Sequence, residues 1–132
     1  AAGADGVHVG QSDLPADVAR ALLGKDRILG LSVGSREELR EGLKAGVDYF
    51  GAGPVFATGT KDDAGAPIGI GGLYELRQET KLPIVAIGGI NIDNLKEVQK
   101  TGVDGVAVVS ALMGAEDIGQ AAQRMFRLWK NN

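Results

Sequence analysis

Five short apolar runs recur along the chain, and longer segments with apolar residues at helical spacing alternate with them. Each run is continuous rather than alternating with polar residues, which is typical of parallel strands that are covered on both faces. The runs therefore predict five buried strands. Their positions are Val7–Val9, Ile28–Ser32, the run from Tyr49 to the break at Pro54, Ile84–Ile87, and the run that ends at Val109 and Ser110.

The segments with helical spacing predict five helices. The clearest start is at Ser35, an N-cap residue, because Glu38 follows three positions later and completes a capping-box pattern. Pro15 suits the first turn of the first helix, and Asp93 lies near the positive end of the fourth. The predicted helices are 14–23, 36–45, 70–80, 92–100 and about 118–129. The last helix is expected to pack one face into the core, comprising Ala122, Met125, Phe126 and Trp129.

A repeated unit connects helices to strands. Positions 2–7, 45–50 and 101–106 resemble one another. In each, a helical pattern ends, a glycine takes the left-handed position, and an aspartate precedes an apolar run. The alternation predicts βα units with right-handed crossovers, which fits either an open doubly wound sheet or a barrel. The polar ends of the last strands favour the barrel, since (βα)8 barrels commonly bind phosphate there.

Composition limits the classes of protein. A length of 132 residues with 44% hydrophobic content predicts a single domain over 1–132 with one packed core. No run of about 18 apolar residues and no signal-peptide pattern is visible, so no membrane span is expected. Cysteine is absent, which removes disulfides and thiolate metal sites and fits a cytoplasmic location. The net charge of −3 argues against broad nucleic-acid binding, but a small anion needs only local donors.

The loop after the third strand concentrates hydrogen-bond donors. Thr58, Thr60 and Lys61 supply two hydroxyls and one cation, and Gly59 permits backbone angles that a β-carbon would resist. A donor-rich loop at the carboxyl end of a strand is where α/β proteins hold anions. A solvated surface loop explains the same stretch when it is considered alone.

The ends of the fourth and fifth strands have the composition of a phosphate site. Gly88 and Gly89 would let an anion approach the backbone, and the N-terminus of the next helix adds positive potential. Val109 and Ser110 occupy the corresponding place after the fifth strand. A tight turn also explains the glycine pair, but two such ends in the last two positions favour the phosphate site.

Polar groups also follow the first two strands. Asp13 is either a hard-cation ligand, suited to Mg²⁺ with phosphate oxygens and water, or the N-cap ahead of Pro15, and the residue alone favours the cap. His8 lies between valines, which favours a core or barrel-lining histidine over a catalytic base. Ser32 either contacts a ligand or turns the chain.

These pieces together closely resemble the thiamine-phosphate synthase family over essentially the full length of the chain. No single piece is decisive, but their order and spacing are specific. The resemblance implies a TIM (βα)8 barrel, and a transferase of thiamine biosynthesis that joins hydroxymethylpyrimidine diphosphate to thiazole phosphate with Mg²⁺ and releases diphosphate. The matching pieces are Gly6–Asp13, Ile28–Ser32, Gly51–Lys61, Pro67–Gly69, Ile87–Ile90 with Asn94 following, and Val108–Ser110.

The resemblance also implies roles for individual residues. Asp13 matches a Mg²⁺ ligand, and Ser32 and Lys61 match residues that contact the pyrimidine diphosphate and act in catalysis. The implied mechanism is dissociative: diphosphate leaves, a pyrimidine cation forms, and the thiazole nitrogen attacks it. Such chemistry needs charge neutralisation, by Mg²⁺ and Lys61, more than a histidine base. The residues that match the thiazole-phosphate site are Thr58, Gly59, Thr60, Gly89, Val109 and Ser110.

The resemblance covers about five of the eight βα units of the family, so the expected fold is a partial barrel. The family's first three units carry a basic loop that grips the diphosphate and the second Mg²⁺ carboxylate. A chain of these five units is expected to be inactive alone, and to self-associate or dock with the missing N-terminal units. A thiazole tautomerase-like relative and a non-catalytic phosphate-binding half-barrel are the alternatives, and Asp13 with Thr58–Lys61 favours the synthase.

Overall fold

One parallel sheet of five strands organises the computed structural model, which describes residues 2–58 and 65–131. The strand order follows the chain from β1 to β5, and every neighbouring pair is parallel. Strands that neighbour one another in chain order are typical of a (βα)8 barrel, whereas the strand order of a doubly wound sheet reverses at a switch point. The predicted α/β class and βα units are therefore confirmed. The strands are β1 (Gly6–Val9), β2 (Ile28–Val33), β3 (Tyr49–Ala52), β4 (Ile84–Ile87) and β5 (Gly105–Ala107).

Six helices lie in the described part of the chain, one more than predicted. The additional helix is short and follows β5, because that strand ends at Ala107 rather than at Val109 and Ser110. None of the helices in 2–58 and 65–131 is long and apolar enough to cross a membrane. The helices are α1 (Ala16–Leu23), α2 (Arg36–Ala45), α3 (Gly69–Glu79), α4 (Leu95–Gln99), α5 (Ser110–Met113) and α6 (Ile118–Lys130).

Local capping explains which helix bounds were predictable. The Ser35 hydroxyl accepts a hydrogen bond from the Glu38 N–H at 3.2 Å, so α2 begins where predicted. The Glu38 carboxylate accepts from the Gly34 N–H, one residue earlier than a capping box requires. Asp13 does not cap α1, because its carboxylate accepts from the Gly10 N–H at 2.7 Å and Pro15 holds the N-cap position. The prediction of Asp13 as the N-cap is therefore wrong.

The fourth helix is shorter than predicted. The Asn91 side chain accepts hydrogen bonds from the N–H groups of Asp93 and Asn94, which stabilises a turn where the prediction had helix. As a result α4 begins at Leu95 instead of Ile92, and Asp93 lies in the turn before it. Asparagine competes with helix formation through such local hydrogen bonds. The longer helix was predicted from the spacing of apolar residues, which takes no account of these bonds.

The core lies between the sheet and the helices. Phe50 and Leu29 point from the strands toward the helices and are fully buried, and Leu73 and Leu76 bury the predicted face of α3. Along α6, Met125 is buried and Trp129 packs against the core. The prediction that Phe126 belongs to the same face is wrong. Phe126 is 62% exposed, since each helical residue turns by about 100° and its side chain is thus directed away from the sheet.

The other face of the sheet is open, which corrects the expectation of strands covered on both faces. Ile28 and Ile87, whose side chains lie on this face, are 53% and 40% exposed. In a closed barrel the inward residues of all the strands fill the interior together, whereas five strands leave theirs partly uncovered. β1 and β5 lie at the two edges of this sheet.

The repeated sequence unit builds the same clamp twice at the amino ends of the strands. In one copy, Asp48 accepts hydrogen bonds from the Leu29 N–H at 2.8 Å and from Arg20 at 2.6 Å. In the other, Asp104 accepts from the Ile84 N–H at 2.9 Å and from Arg77 at 2.8 Å. We call these contacts the Arg–Asp clamps.

Each Arg–Asp clamp joins a helix to the starts of two adjacent strands. The glycine two residues before each aspartate, Gly46 or Gly102, has φ of 79° or 89°, the left-handed conformation that the repeat predicted. Gly46 is the C-cap of α2 and Gly102 lies in the turn after α4, so each glycine turns the chain between a helix and the aspartate that reaches the neighbouring strand.

The clamp at Asp48 leads to a prediction on acid stability. The Leu29 N–H, followed by the Arg20 guanidinium, holds the pKa of the Asp48 carboxyl below its ordinary value of 3.8. A lowered pKa stabilises the fold while the group is ionised, and this contribution is lost as the pH falls through the folded-state pKa. Asp48→Asn should therefore lower the free energy of unfolding near neutral pH, by a modest amount because the carboxylate is 49% exposed.

Urea unfolding at about pH 6 and about pH 3 measures this effect. The difference in the free energy of unfolding between Asp48→Asn and the unchanged chain should be smaller at the lower pH. The matched control is Asp26→Asn, which removes an exposed carboxylate from the loop between α1 and β2. A difference of equal size at both pH values would show that the charge of Asp48 does not stabilise the fold.

Candidate functional site

A cavity of about 760 Å³ opens at the carboxyl ends of the strands. Every strand of the sheet contributes its last residues or the loop that follows it, as parallel βα units require. Six of the nine predicted site residues line this cavity: Asp13, Ser32, Thr58, Gly89, Val109 and Ser110. The other three, Gly59, Thr60 and Lys61, lie outside the described residues, and their roles stay predictions.

The β1 end brings Asp13 to the cavity. The hydrogen bond from the Gly10 N–H to its carboxylate closes a turn over 10–13. Gln11 donates from its side-chain amide to the Ser32 carbonyl at 2.9 Å, which ties this turn to the end of β2. Asp13 and Ser32, the two residues predicted for the diphosphate side, are thereby held on adjacent strand ends.

A Mg²⁺ ion would find only part of its ligands here. Asp13 offers an exposed carboxylate, and Glu38 on the same wall is engaged with the Gly34 N–H. Within 2–58 and 65–131, no three His, Cys, Asp or Glu side chains are grouped to hold a metal. Mg²⁺ often takes one or two carboxylates together with substrate phosphates and water. The described residues fit that incomplete arrangement and do not form a complete cage.

The β4 end is a glycine turn packed against the loop after β3. Gly88 and Gly89 have φ of 105° and 68°. A β-carbon at Gly89 would lie 2.8 Å from the Ala57 carbonyl oxygen, and one at Gly88 would lie 2.6 Å from the Pro54 Cα. Both the backbone angle and the close approach therefore require glycine. Gly88 and Gly89 thus make a tight turn, which also forms part of the cavity wall, and their role in binding phosphate stays a prediction.

Asn94 fixes this turn, a role that the sequence alone did not reveal. Its amide nitrogen donates to the Gly89 carbonyl at 3.0 Å, and its amide oxygen accepts from the Asn91 N–H at 2.9 Å. The two bonds set the orientation of the peptide after Gly89. In the sequence, Asn94 was marked by its position five residues after Gly89 and by its place among the pieces that match the family, and neither signal specifies a partner.

The β5 end contributes the start of α5. Val109 is the N-cap residue, and its carbonyl accepts from the N–H groups of Leu112 and Met113. Ser110 is the first helical residue, so its N–H belongs to the group that has no acceptor within a helix. Such N–H groups are suited to an anion, although the predicted strand end is in fact a helix start.

The open inner face carries a cluster of three polar side chains. His8 bonds through Nδ1 to the Tyr49 hydroxyl at 2.8 Å and through Nε2 to the Ser32 hydroxyl at 2.7 Å. His8 is exposed on this face, so it lines the inside of the sheet and is not a core residue. Tyr49 was predicted only as the start of a strand, because nothing in the sequence indicates that β1 and β3 place these two rings together.

Comparison with known proteins identifies the family. A sequence profile described as thiamine monophosphate synthase matches residues 1–112. The chain belongs to the thiamine monophosphate synthase family. The resemblance predicted from the ordered motifs is therefore confirmed.

Curated members of the thiamine monophosphate synthase family are similar to this chain over nearly all of it. The thiamine-phosphate synthase of Syntrophomonas wolfei is 57% identical over 129 residues, which are 98% of this chain and 62% of the relative. That of Moorella thermoacetica is 55% identical over 122 residues, 92% of this chain and 58% of the relative. The chain thus spans about three fifths of the length of these relatives.

Solved structures agree with the family and the fold. Thiamine phosphate pyrophosphorylase from Pyrococcus furiosus matches with a TM-score of 0.87 at 49% identity, covering 96% of this chain and 60% of that protein. A 3-hexulose-6-phosphate synthase matches with a TM-score of 0.66 at 22% identity, covering 93% of this chain and 61% of that protein. This similarity shows the fold alone. The thiamine monophosphate synthase family and the barrel type of fold are therefore shown for this chain, which supplies five parallel βα units.

Proposed function

We propose that this chain supplies the substrate-binding part of a thiamine-phosphate synthase, which joins hydroxymethylpyrimidine diphosphate to thiazole phosphate and releases diphosphate. One observation carries the proposal. A single cavity gathers Asp13 and Ser32, predicted for the diphosphate, with Thr58, Gly89 and Ser110, predicted for the thiazole phosphate. Membership of the family supports it further. The cytoplasmic location of the reaction stays a prediction.

The strand order supports two adjoining subsites. Asp13 and Ser32 follow β1 and β2, whereas Gly89 and Ser110 follow β4 and β5. Neighbouring strands lie about 4.8 Å apart, so the ends of β2 and β4 are separated by roughly 10 Å. Two substrates bound at these ends would lie side by side over β3. The reacting carbon of the pyrimidine and the nitrogen of the thiazole would then meet above the middle of the sheet.

The side chains at the first subsite would bind and orient the leaving group. In this proposal the Ser32 hydroxyl donates to the pyrimidine diphosphate, and Asp13 contributes one carboxylate to Mg²⁺. When bound, the ion supplies positive charge beside the leaving diphosphate. Lys61, outside the described residues, is proposed to add a second positive charge. A dissociative reaction places most of its developing charge on the leaving group, so electrostatic stabilisation there lowers the barrier.

The second subsite would bind a phosphate through neutral donors. The Thr58 hydroxyl, the glycine turn held by Asn94, and the first N–H groups of α5 face the same cavity. The backbone N–H groups at Gly89 and Ser110 are neutral donors, so they favour an anion without attracting a cation. Gly59 and Thr60 are proposed to complete the cradle, and Val109 contributes its backbone.

Two other functions use the same cavity. A thiazole tautomerase-like enzyme would need only the second subsite, and a non-catalytic half-barrel would bind phosphate without turnover. The position of Asp13 and Ser32 on the cavity wall favours the synthase, because a tautomerase needs no diphosphate clamp. Release of diphosphate from the two precursors distinguishes the synthase from both alternatives, since only the synthase produces it.

We predict that the purified 132-residue chain forms no thiamine phosphate alone and binds thiazole phosphate at most weakly. A lone carboxylate binds Mg²⁺ poorly, because the ion prefers near-octahedral oxygen ligands and releases water reluctantly. The open edges of β1 and β5 should also make the chain associate, which size-exclusion chromatography measures.

Supplying the family's first three βα units is a second test of the same proposal. The part of the Syntrophomonas wolfei enzyme outside the region 57% identical to this chain can be added in trans or fused as a chimera. Restored formation of thiamine phosphate is the expected result, and Asp13→Asn in the chimera should reduce it. Robust Mg²⁺-dependent product from a monomer of this chain would show that the essential residues are misplaced. No product from a folded chimera would overturn the proposed function.

A further inference from the structure

We propose that Tyr49, His8 and Ser32 form a directional hydrogen-bond relay that holds the Ser32 hydroxyl hydrogen ready to donate to an anionic ligand in the cavity. His8 and Tyr49 are then positioning residues, because they act on the ligand through Ser32. This inference rests on the proposed function for the identity of the anion, the diphosphate of the pyrimidine substrate. The relay itself is defined by contacts within the described residues.

The geometry of the relay links three strands. The Tyr49 hydroxyl on β3 lies 2.8 Å from His8 Nδ1 on β1, and His8 Nε2 lies 2.7 Å from the Ser32 Oγ on β2. Both distances are typical of hydrogen bonds. Both ring nitrogens are therefore engaged by a hydroxyl group, and the imidazole connects the two.

Two glycines leave the space that the relay occupies. A β-carbon at Gly30 would lie 2.2 Å from the Tyr49 Cζ, and one at Gly51 would lie 3.3 Å from the His8 Cε1. Gly30 pairs with His8 on one side and with Tyr49 on the other, so the two rings meet over it. The sheet thus lacks side chains at the positions that these rings cover.

The chemistry of the three groups gives the relay a direction. A neutral imidazole has one N–H donor and one acceptor nitrogen. A phenol is more acidic than an alkyl hydroxyl, so the Tyr49 O–H is the better donor to Nδ1. Nε2 then carries the hydrogen and donates it to the Ser32 oxygen. The Ser32 hydrogen is left for a third partner.

An anion in the cavity favours the same direction. If Ser32 instead donated to His8, its oxygen lone pairs would face the phosphate oxygens, and both groups would be acceptors. With the relay directed from Tyr49, each donor polarises the next, and the last hydrogen points to an acceptor that is charged. Ser32 lines the cavity and Tyr49 does not, which places the donating end toward the ligand.

Nuclear magnetic resonance of the chain itself tests the direction. His8 is the single histidine of the sequence, so the imidazole nitrogen resonances all belong to it. At about pH 8 we expect a protected Nε2–H proton that changes in Ser32→Ala. The Nδ1 nitrogen resonance should move in Tyr49→Phe. A hydrogen on Nδ1, or a Nδ1 resonance unchanged by Tyr49→Phe, would overturn the relay.

Kinetics of the chimera described above test the function of the relay. Tyr49→Phe should lower kcat/KM for the pyrimidine diphosphate by about two- to tenfold, as expected for one hydrogen bond, and leave the KM for thiazole phosphate unchanged. His8→Gln, which retains an amide donor near Nε2, should keep more activity than His8→Leu.

A double-mutant cycle separates positioning from general loss of structure. In a Ser32→Ala background, Tyr49→Phe should have no further effect, because the group on which it acts is gone. Multiplicative losses in the double variant, or equal losses for both substrates, would overturn the positioning role. If the unchanged chimera makes no product, the proposed function fails, and the resonance experiment still decides whether the relay exists.

Discussion

Replacing Lys61 by alanine is expected to lower kcat for thiamine phosphate formation by roughly 10²–10³, the usual cost of one electrostatic contact made in the transition state. The proposed reason is that its ammonium faces the diphosphate, whose negative charge grows as the bond to the pyrimidine breaks. The affinity for thiazole phosphate should change little, because that phosphate is proposed to bind neutral donors at the other side of the cavity. Steady-state kinetics of the chimera measure both quantities.

Lys81→Ala provides the matched control for this experiment. Lys81 is exposed and precedes β4, so it lies at the amino ends of the strands, away from the cavity. Its removal should leave kcat unchanged. Should Lys61→Ala retain turnover within about threefold, which is under about 1 kcal/mol, Lys61 would be a solvated surface residue.

Replacing Gly53 by alanine is expected to destabilise the fold by about 3 kcal/mol or more, since the new group meets backbone rather than a movable side chain. A β-carbon at this position would lie 2.1 Å from the Ile87 carbonyl oxygen. That oxygen also accepts the hydrogen bond from the Val55 N–H that holds the loop after β3. Moving it away would separate the carboxyl ends of β3 and β4, where the cavity begins.

Gly71→Ala is the control for this substitution. Gly71 lies in α3 and is exposed, and outside the backbone of its own helix no atom of the described residues would lie within 4 Å of a β-carbon added to it. Alanine there should stabilise the helix by roughly 0.5–1 kcal/mol, because glycine loses more conformational freedom. Urea unfolding of the two variants should therefore give shifts of opposite sign. A Gly53→Ala variant as stable as the unchanged chain would mean that the two strand ends do not pack as closely as described.

The parts of the fold that depend on nearby residues were predictable. Ser35 and Glu38 specify the start of α2 within four positions, and Gly46 specifies its end, so both bounds were predicted correctly. The strands were predicted because their apolar runs are bounded by turn residues. The short α5 was missed because four residues carry too little periodic signal, and Phe126 was misplaced because apolar character alone does not fix its direction on α6.

The candidate site was predictable in its composition but not in its contacts. The strand ends indicated which polar residues gather, since parallel strands bring their carboxyl ends to one edge. The bonds from His8 to Tyr49 and Ser32 join residues 41 and 24 positions apart and depend on strand register. Likewise, the repeat around Asp48 was visible in the sequence, but its partner Arg20 was not, because β2 and α2 separate the two residues along the chain.

The Arg–Asp clamps lie at the end of the sheet opposite to the cavity. Because they join helices to strand starts, the loops at the other end can vary without releasing these contacts. Someone wishing to adapt the chain to a different anionic compound could therefore randomise the loops after β3 and β5, apart from Gly53 and the buried Val55, while leaving Arg20, Asp48, Arg77 and Asp104 untouched. Libraries built this way should retain a larger folded fraction than libraries that spread the same number of changes over both ends.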